Sequence, residues 1–164
     1  MPKLDKTFKQ GEYPEQIVNL LYNTGYRLTG KHLETQELVE GVFNTLNNNA
    51  NLKTALKSMC LIYMNNTASG GKNLPKDNNG STLLDKGIST HKIQAALLAL
   101  PPIERLVLVL REILGLNYAD IAEITGCEKI TVTRLLTAGR GALRKHLVLH
   151  PGRNRRPEKY TAAK

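Results

Sequence analysis

The chain reads as an all-α protein of two small helical domains joined by a flexible linker. Three observations predict this. Apolar residues recur at helical spacing almost throughout, and no stretch alternates at period two. A segment poor in large apolar residues divides the chain near its middle. The second half carries the spacing of a helix-turn-helix: Ala122, Gly126 and Val132 lie four and then six residues apart among Ile121, Cys127, Leu135 and Leu136. The expected bounds are a first domain over 1–66, a linker over 67–90, a second domain over 91–149 and a basic tail over 150–164.

In the first half, Ile17, Leu21, Thr24 and Leu28 share one face of a helix that opens at Pro14 and is stopped by Gly30. Leu38, Val39, Val42, Phe43 and Leu46 form the stripe of a second helix, ended by the asparagines Asn47 to Asn49 and Asn51. Leu52, Ala55, Leu56, Met59, Cys60 and Tyr63 repeat at three and four and predict a third. Between Asn65 and Thr90 stand Gly70, Gly71, Pro75, Gly80 and Gly87, a composition that buries too little surface to offset its ordering entropy.

The second half opens with a helix bearing Ile93, Ala96, Leu97 and Leu100, which Pro101-Pro102 terminates while opening the next. Ile103, Leu106, Val107, Leu110 and Leu114 mark that next helix, and Gly115 closes it. In the helix-turn-helix that follows, Ala122 suits the point where two helices touch. Gly126 suits a left-handed turn, and Val132 anchors a second helix that runs on through Leu143 to Leu147.

The net charge of +9 points to a polyanionic partner, yet it is spread unevenly. Residues 1–66 carry +1, residues 67–92 and 93–149 carry +2 each, and residues 150–164 carry +4. The tail, with Arg153, Arg155, Arg156, Lys159 and Lys164, reads equally as a solubilising extension or a phosphate-binding arm. Cys60 and Cys127 have no paired spacing, which argues for reduced thiols rather than a disulfide or a zinc site. The longest apolar runs, Met59 to Met64 and Ala95 to Leu100, are too short to span a bilayer, and no signal pattern opens the chain. A soluble cytoplasmic protein without membrane contact is expected.

Ala99-Leu-Pro-Pro-Ile-Glu-Arg105, Leu110-Arg-Glu-Ile-Leu-Gly-Leu-Asn-Tyr118, the helix-turn-helix and Gly139-Arg-Gly-Ala-Leu-Arg144 together resemble region 4 of extracytoplasmic-function (ECF) sigma factors. Tyr26-Arg-Leu-Thr-Gly30 and Glu34-Thr-Gln-Glu-Leu-Val-Glu-Gly-Val-Phe43 resemble region 2 of the same family. The resemblance covers about residues 13–149. It implies a three-helix region 2 domain docking on the polymerase clamp and a region 4 domain touching the flap. It further implies core RNA polymerase and promoter DNA as partners, with an anti-sigma factor as a further candidate.

Carried over by position, Glu37, Leu38, Glu40 and Phe43 form the polymerase-docking face; taken alone, Leu38 and Phe43 read as core. Lys53, Lys57 and Tyr63 on the third helix suit phosphate contact and base stacking, Tyr63 reading equally as core. The family's aromatic, Arg-Asn pair and terminal basic pair are replaced here by Asn51, Lys57-Ser58 and Asn65-Asn66. On the recognition helix, Thr131, Thr133 and Thr137 are candidates for hydrogen bonds to phosphates or bases, Arg134 for a guanine edge, and Arg140 for electrostatic steering.

No catalytic constellation, cofactor motif or small-molecule substrate site is expected. His146 and His150, four apart, lack the acidic or cysteine partners of a metal site. The expected function is that of an ECF-type sigma factor, not an enzyme. Two alternatives stay open: a sigma-like interaction module without promoter opening, and a stand-alone helix-turn-helix regulator.

Overall fold

The computed structural model describes residues 7–8, 13–47, 50–68 and 90–148. Helix α1 (Glu15–Thr29) begins after Pro14, whose fixed φ suits a helix start. It ends where Gly30 takes a left-handed φ of 75° and donates its N–H to the Tyr26 carbonyl. Helix α2 (His32–Thr45) returns antiparallel, burying Thr35, Leu38, Val39 and Val42. Helix α3 (Leu52–Ala68) completes the three-helix unit and buries the whole expected stripe from Leu52 to Tyr63.

The start of α3 explains Asn51. The Thr54 N–H donates to the Asn51 side-chain oxygen at 2.9 Å, and the Asn51 N–H donates to the Thr54 hydroxyl at 2.9 Å. This reciprocal pair satisfies two helix-start donors, so Asn51 stands at this position as a cap. A two-residue antiparallel pairing of β1 (Thr7–Phe8) with β2 (Ala50–Asn51) brings the N-terminal segment against that cap.

In the second half, α4 (Thr90–Leu98) leads through Leu100-Pro101 to α5 (Pro102–Leu108). That helix continues as a π segment over Val109–Ile113. Its end is a Schellman closure: Gly115 has a φ of 68°, and the Leu116 N–H reaches back to the Leu110 carbonyl at 3.1 Å. Helix α6 (Tyr118–Thr125), the left-handed Gly126 (φ 71°) and α7 (Lys129–Val148) form the helix-turn-helix. Asn117 caps α6, its side-chain oxygen accepting from the Asp120 N–H at 2.9 Å.

The segment expected to link the domains is helical at both ends, since α3 runs through Ala68 and α4 begins at Thr90. Residues 69–89 between them, like the tail expected over 150–164, lie outside the described residues. The two helical units also pack against each other. One continuous buried cluster runs from Leu21 and Leu38 in the first unit through Leu97, Leu106 and Leu110 to Val132 and Leu136 in the second. The seam is polar where backbone ends meet. Arg105 donates to the Leu28 carbonyl across the seam at 2.6 Å. Within its own unit it donates to the carbonyls of Leu97 (2.9 Å), Leu98 (2.6 Å) and Leu100 (3.0 Å). The buried Gln94 amide donates to the Tyr26 and Arg27 carbonyls, and its oxygen accepts from the Arg27 guanidinium at 3.1 Å.

Candidate nucleic-acid and polymerase interfaces

Helix α7 is held by one buried face and presents the other. Val132 and Leu136 are sealed inside with Ile121 and Ile124 of α6, which fixes the crossing of the two helices. Ala122, half-buried, packs against this cluster, and Gly126 supplies the turn. The expected roles of Ala122, Gly126 and Val132 within the unit are therefore met. The outward face carries Lys129, Ile130, Thr133, Arg134, Thr137, Ala138 and Arg140, all exposed. The helix contains five lysines and arginines and no carboxylate. A recognition face with that balance attracts phosphates along its length.

Several expected contacts are more constrained than their residue types suggest. Thr131 is only half exposed. The Thr133 hydroxyl donates to the Lys129 carbonyl at 3.0 Å, and the Thr137 hydroxyl to the Thr133 carbonyl at 2.9 Å. Each has spent its single proton inside the helix and retains acceptor capacity only. Arg140 is engaged by Glu112 of the π segment, through Nη2 at 2.6 Å and Nε at 3.0 Å, while Arg134 stays exposed. The expected contact set omits Lys129, four residues before Thr133, and Ile130, three before Thr133 and four before Arg134, both on the same face. Ile130 is 63% exposed, and that spacing is the signal that would have found it.

On the first unit, Glu37 and Glu40 project from α2 into solvent. Leu38, at 2% exposure, belongs to the core, and half-buried Phe43 packs against the Tyr13 ring, tilted by 31°, at 4.3 Å between ring centres. The carboxylates are the accessible part of the expected docking face, supported from below by the two apolar residues.

The third helix departs from expectation at two positions. Tyr63 is buried at the seam with its hydroxyl unpaired, so no base can stack on its ring in this arrangement. Desolvation raises its pKa above the ordinary value, with Arg105 nearby pulling the other way. Lys53 is drawn to Glu123 of α6 at 2.6 Å, across the seam. Lys57 alone of the three is exposed as expected. No group of metal-ligating side chains is present among the described residues, and none of their helices is long and apolar enough to cross a membrane.

Residues 90–143 match the family model of sigma-70, region 4, an interval that begins with α4 and takes in α6, Gly126 and α7 as far as Leu143. The second unit is therefore similar to sigma-70, region 4. Over the greater part of the chain, the fold is similar to a solved structure described as the sigma factor RpoE in complex with the anti-sigma factor NepR from Bartonella quintana. The TM-score is 0.62 and the sequence identity 16%, over 82% of this chain and 93% of that one. At that identity the likeness is one of fold, and it extends over both helical units. In its region 4 match and its two-unit fold, the chain is similar to sigma factors.

Proposed function

We propose that the chain binds core RNA polymerase and carries it to a promoter whose upstream element is read in the duplex major groove by α7. The observation that supports this most is the region 4 helix-turn-helix, with its anchors buried and its carboxylate-free helix turned outward. In this reading Glu37 and Glu40 pair with cationic side chains of the polymerase, held in place by Leu38 and Phe43 beneath them. Arg134 is placed for a base edge. Thr131, Thr133 and Thr137 act as hydrogen-bond acceptors beside it, and Arg140 steers electrostatically. Lys57 provides a phosphate contact downstream. The anti-sigma factor seated on RpoE makes a protein inhibitor of that class a further expected partner here.

The test is association of the tagged full-length chain with core polymerase by gel filtration, followed by run-off transcription from a selected template. A co-eluting complex that yields transcripts supports the proposal, and no association with core enzyme rejects it. A second reading, an interaction module that binds polymerase without opening promoters, is favoured by the burial of Tyr63 and the capping role of Asn51. Binding without transcripts on a permissive template would select that reading. A palindromic footprint in the absence of polymerase would instead indicate a stand-alone regulator.

A further inference from the structure

The groove-facing edge of α7 is less polar than its residue types suggest. Ile130 stands 63% exposed in the first turn, where a recognition helix meets base edges. A large aliphatic side chain in that position gains nothing from water, and most of it lies outside protein cover. Thr133 and Thr137 follow at i+3 and i+7 on the same face. Their hydroxyl protons are committed to the carbonyls of Lys129 and Thr133, which leaves no donor at either position. What this edge offers a base pair is therefore methyl groups and acceptor lone pairs. Lys129 and Arg134 flank it with positive charge, which suits the phosphates on either side of a groove.

We infer that this chain recognises thymine in its upstream element by apolar contact of Ile130, Thr133 and Thr137 with the 5-methyl group. Among the four bases only thymine presents a methyl in the major groove, and contact with it is a recognised means of readout. Cytosine at the same place lacks the methyl that Ile130 would cover. The inference rests on the proposed role of α7 as the groove-facing helix, and it adds the base that helix selects.

The experiment uses the full chain with core polymerase, on a duplex selected from a random pool and footprinted to locate the upstream protected segment. Each thymine of that segment is replaced in turn by deoxyuridine, which removes the methyl and leaves pairing intact. At one or more positions the affinity is expected to fall about four-fold, the value of one methyl group withdrawn from apolar contact. Ile130→Ala, Thr133→Ser or Thr137→Ser should abolish the thymine–uracil difference at that position. All three sites are exposed, so the variants fold. Lys129→Ala should weaken both duplexes alike and serves as the phosphate-contact control. The inference is overturned if every uracil duplex binds as tightly as its thymine parent, or if all three methyl-removing variants keep the full difference. Absence of any footprint with polymerase rejects the sigma reading itself, and this inference with it, so the two failures are distinct.

Discussion

Arg105 shows how much one side chain can settle. Its guanidinium donates to four main-chain carbonyls, from the ends of α1 and α4 and the turn that follows, and no ion pair to it occurs among the described residues. Burial lowers its pKa below the usual arginine value. Lysine would bring three donors on a single nitrogen and could not span the same carbonyls. Arg105→Lys should therefore cost at least about 2 kcal/mol through buried acceptors left unpaired, read as a lower urea midpoint. Cys60 makes a second case. Burial pushes its thiol up from 9.0 to about 12, and Tyr63 is shifted in the same direction from 10.0. Because the unfolded chain ionises first, the stability these neutral groups contribute is whole below pH 9 and falls as the pH climbs toward 12. Urea midpoints should drop over that window. At neutral pH an alkylating reagent should label half-exposed Cys127 and spare Cys60.

At the scale of elements, what was legible and what was not divides by mechanism. Helix stops that depend on local backbone chemistry were readable, because Gly30, Gly115 and Gly126 sit where left-handed backbone ends a turn, and all three have positive φ. The stripes of α1, α2 and α3 were readable from spacing alone. The π segment was not, since nothing in Val109–Ile113 distinguishes a five-residue hydrogen-bond step from a four-residue one. Nor was the capping role of Asn51, which looked like a departure from a family pattern until its bond to Thr54 appeared. Gly139 and Gly141 looked alike in the sequence and are not alike in space. A Cβ on Gly139 would lie 2.8 Å from Leu108 Cδ1, inside the α5–α7 contact, while one on Gly141 meets nothing within 4 Å. Gly139→Ala should destabilise by about 1–3 kcal/mol through overpacking. Gly141→Ala should gain about 0.5–1 kcal/mol from helix propensity. Thermal melts of the two variants check both.

For the whole molecule, the sequence indicated two helical units and could not place them. Their seam is built from residues that carry no periodic signal: a buried amide at Gln94, the Arg105 bonds, and the Lys53–Glu123 ion pair. It also depends on the closeness of Gly30 to Leu98, whose Cδ1 would stand 2.4 Å from any added Cβ. Among the candidate contacts, the recognition face of α7 was largely legible because helix period orients it. The fate of Tyr63 was not, because burial at a seam is decided by the other unit. A continuous core running through both units predicts a single unfolding transition. Probes in the first and second units should melt together, and separated transitions would show that the seam contributes little.

Tyr63 gives that seam an optical consequence. The chain has no tryptophan and six tyrosines, so its near-ultraviolet signal comes largely from phenol rings. Tyr63 lines a cavity of about 340 Å³ together with Leu28, Glu37, Asn66, Leu98 and Arg105, and its hydroxyl is buried there without a partner. Any parting of the two units would bring water to this ring. Tyr63→Phe, which removes only the unpaired hydroxyl, should leave stability unchanged or slightly raised while erasing that ring's share of the alkaline absorbance titration. Its late ionisation in the intact protein would then record, in a cuvette, whether the halves stay together when polymerase or DNA is added.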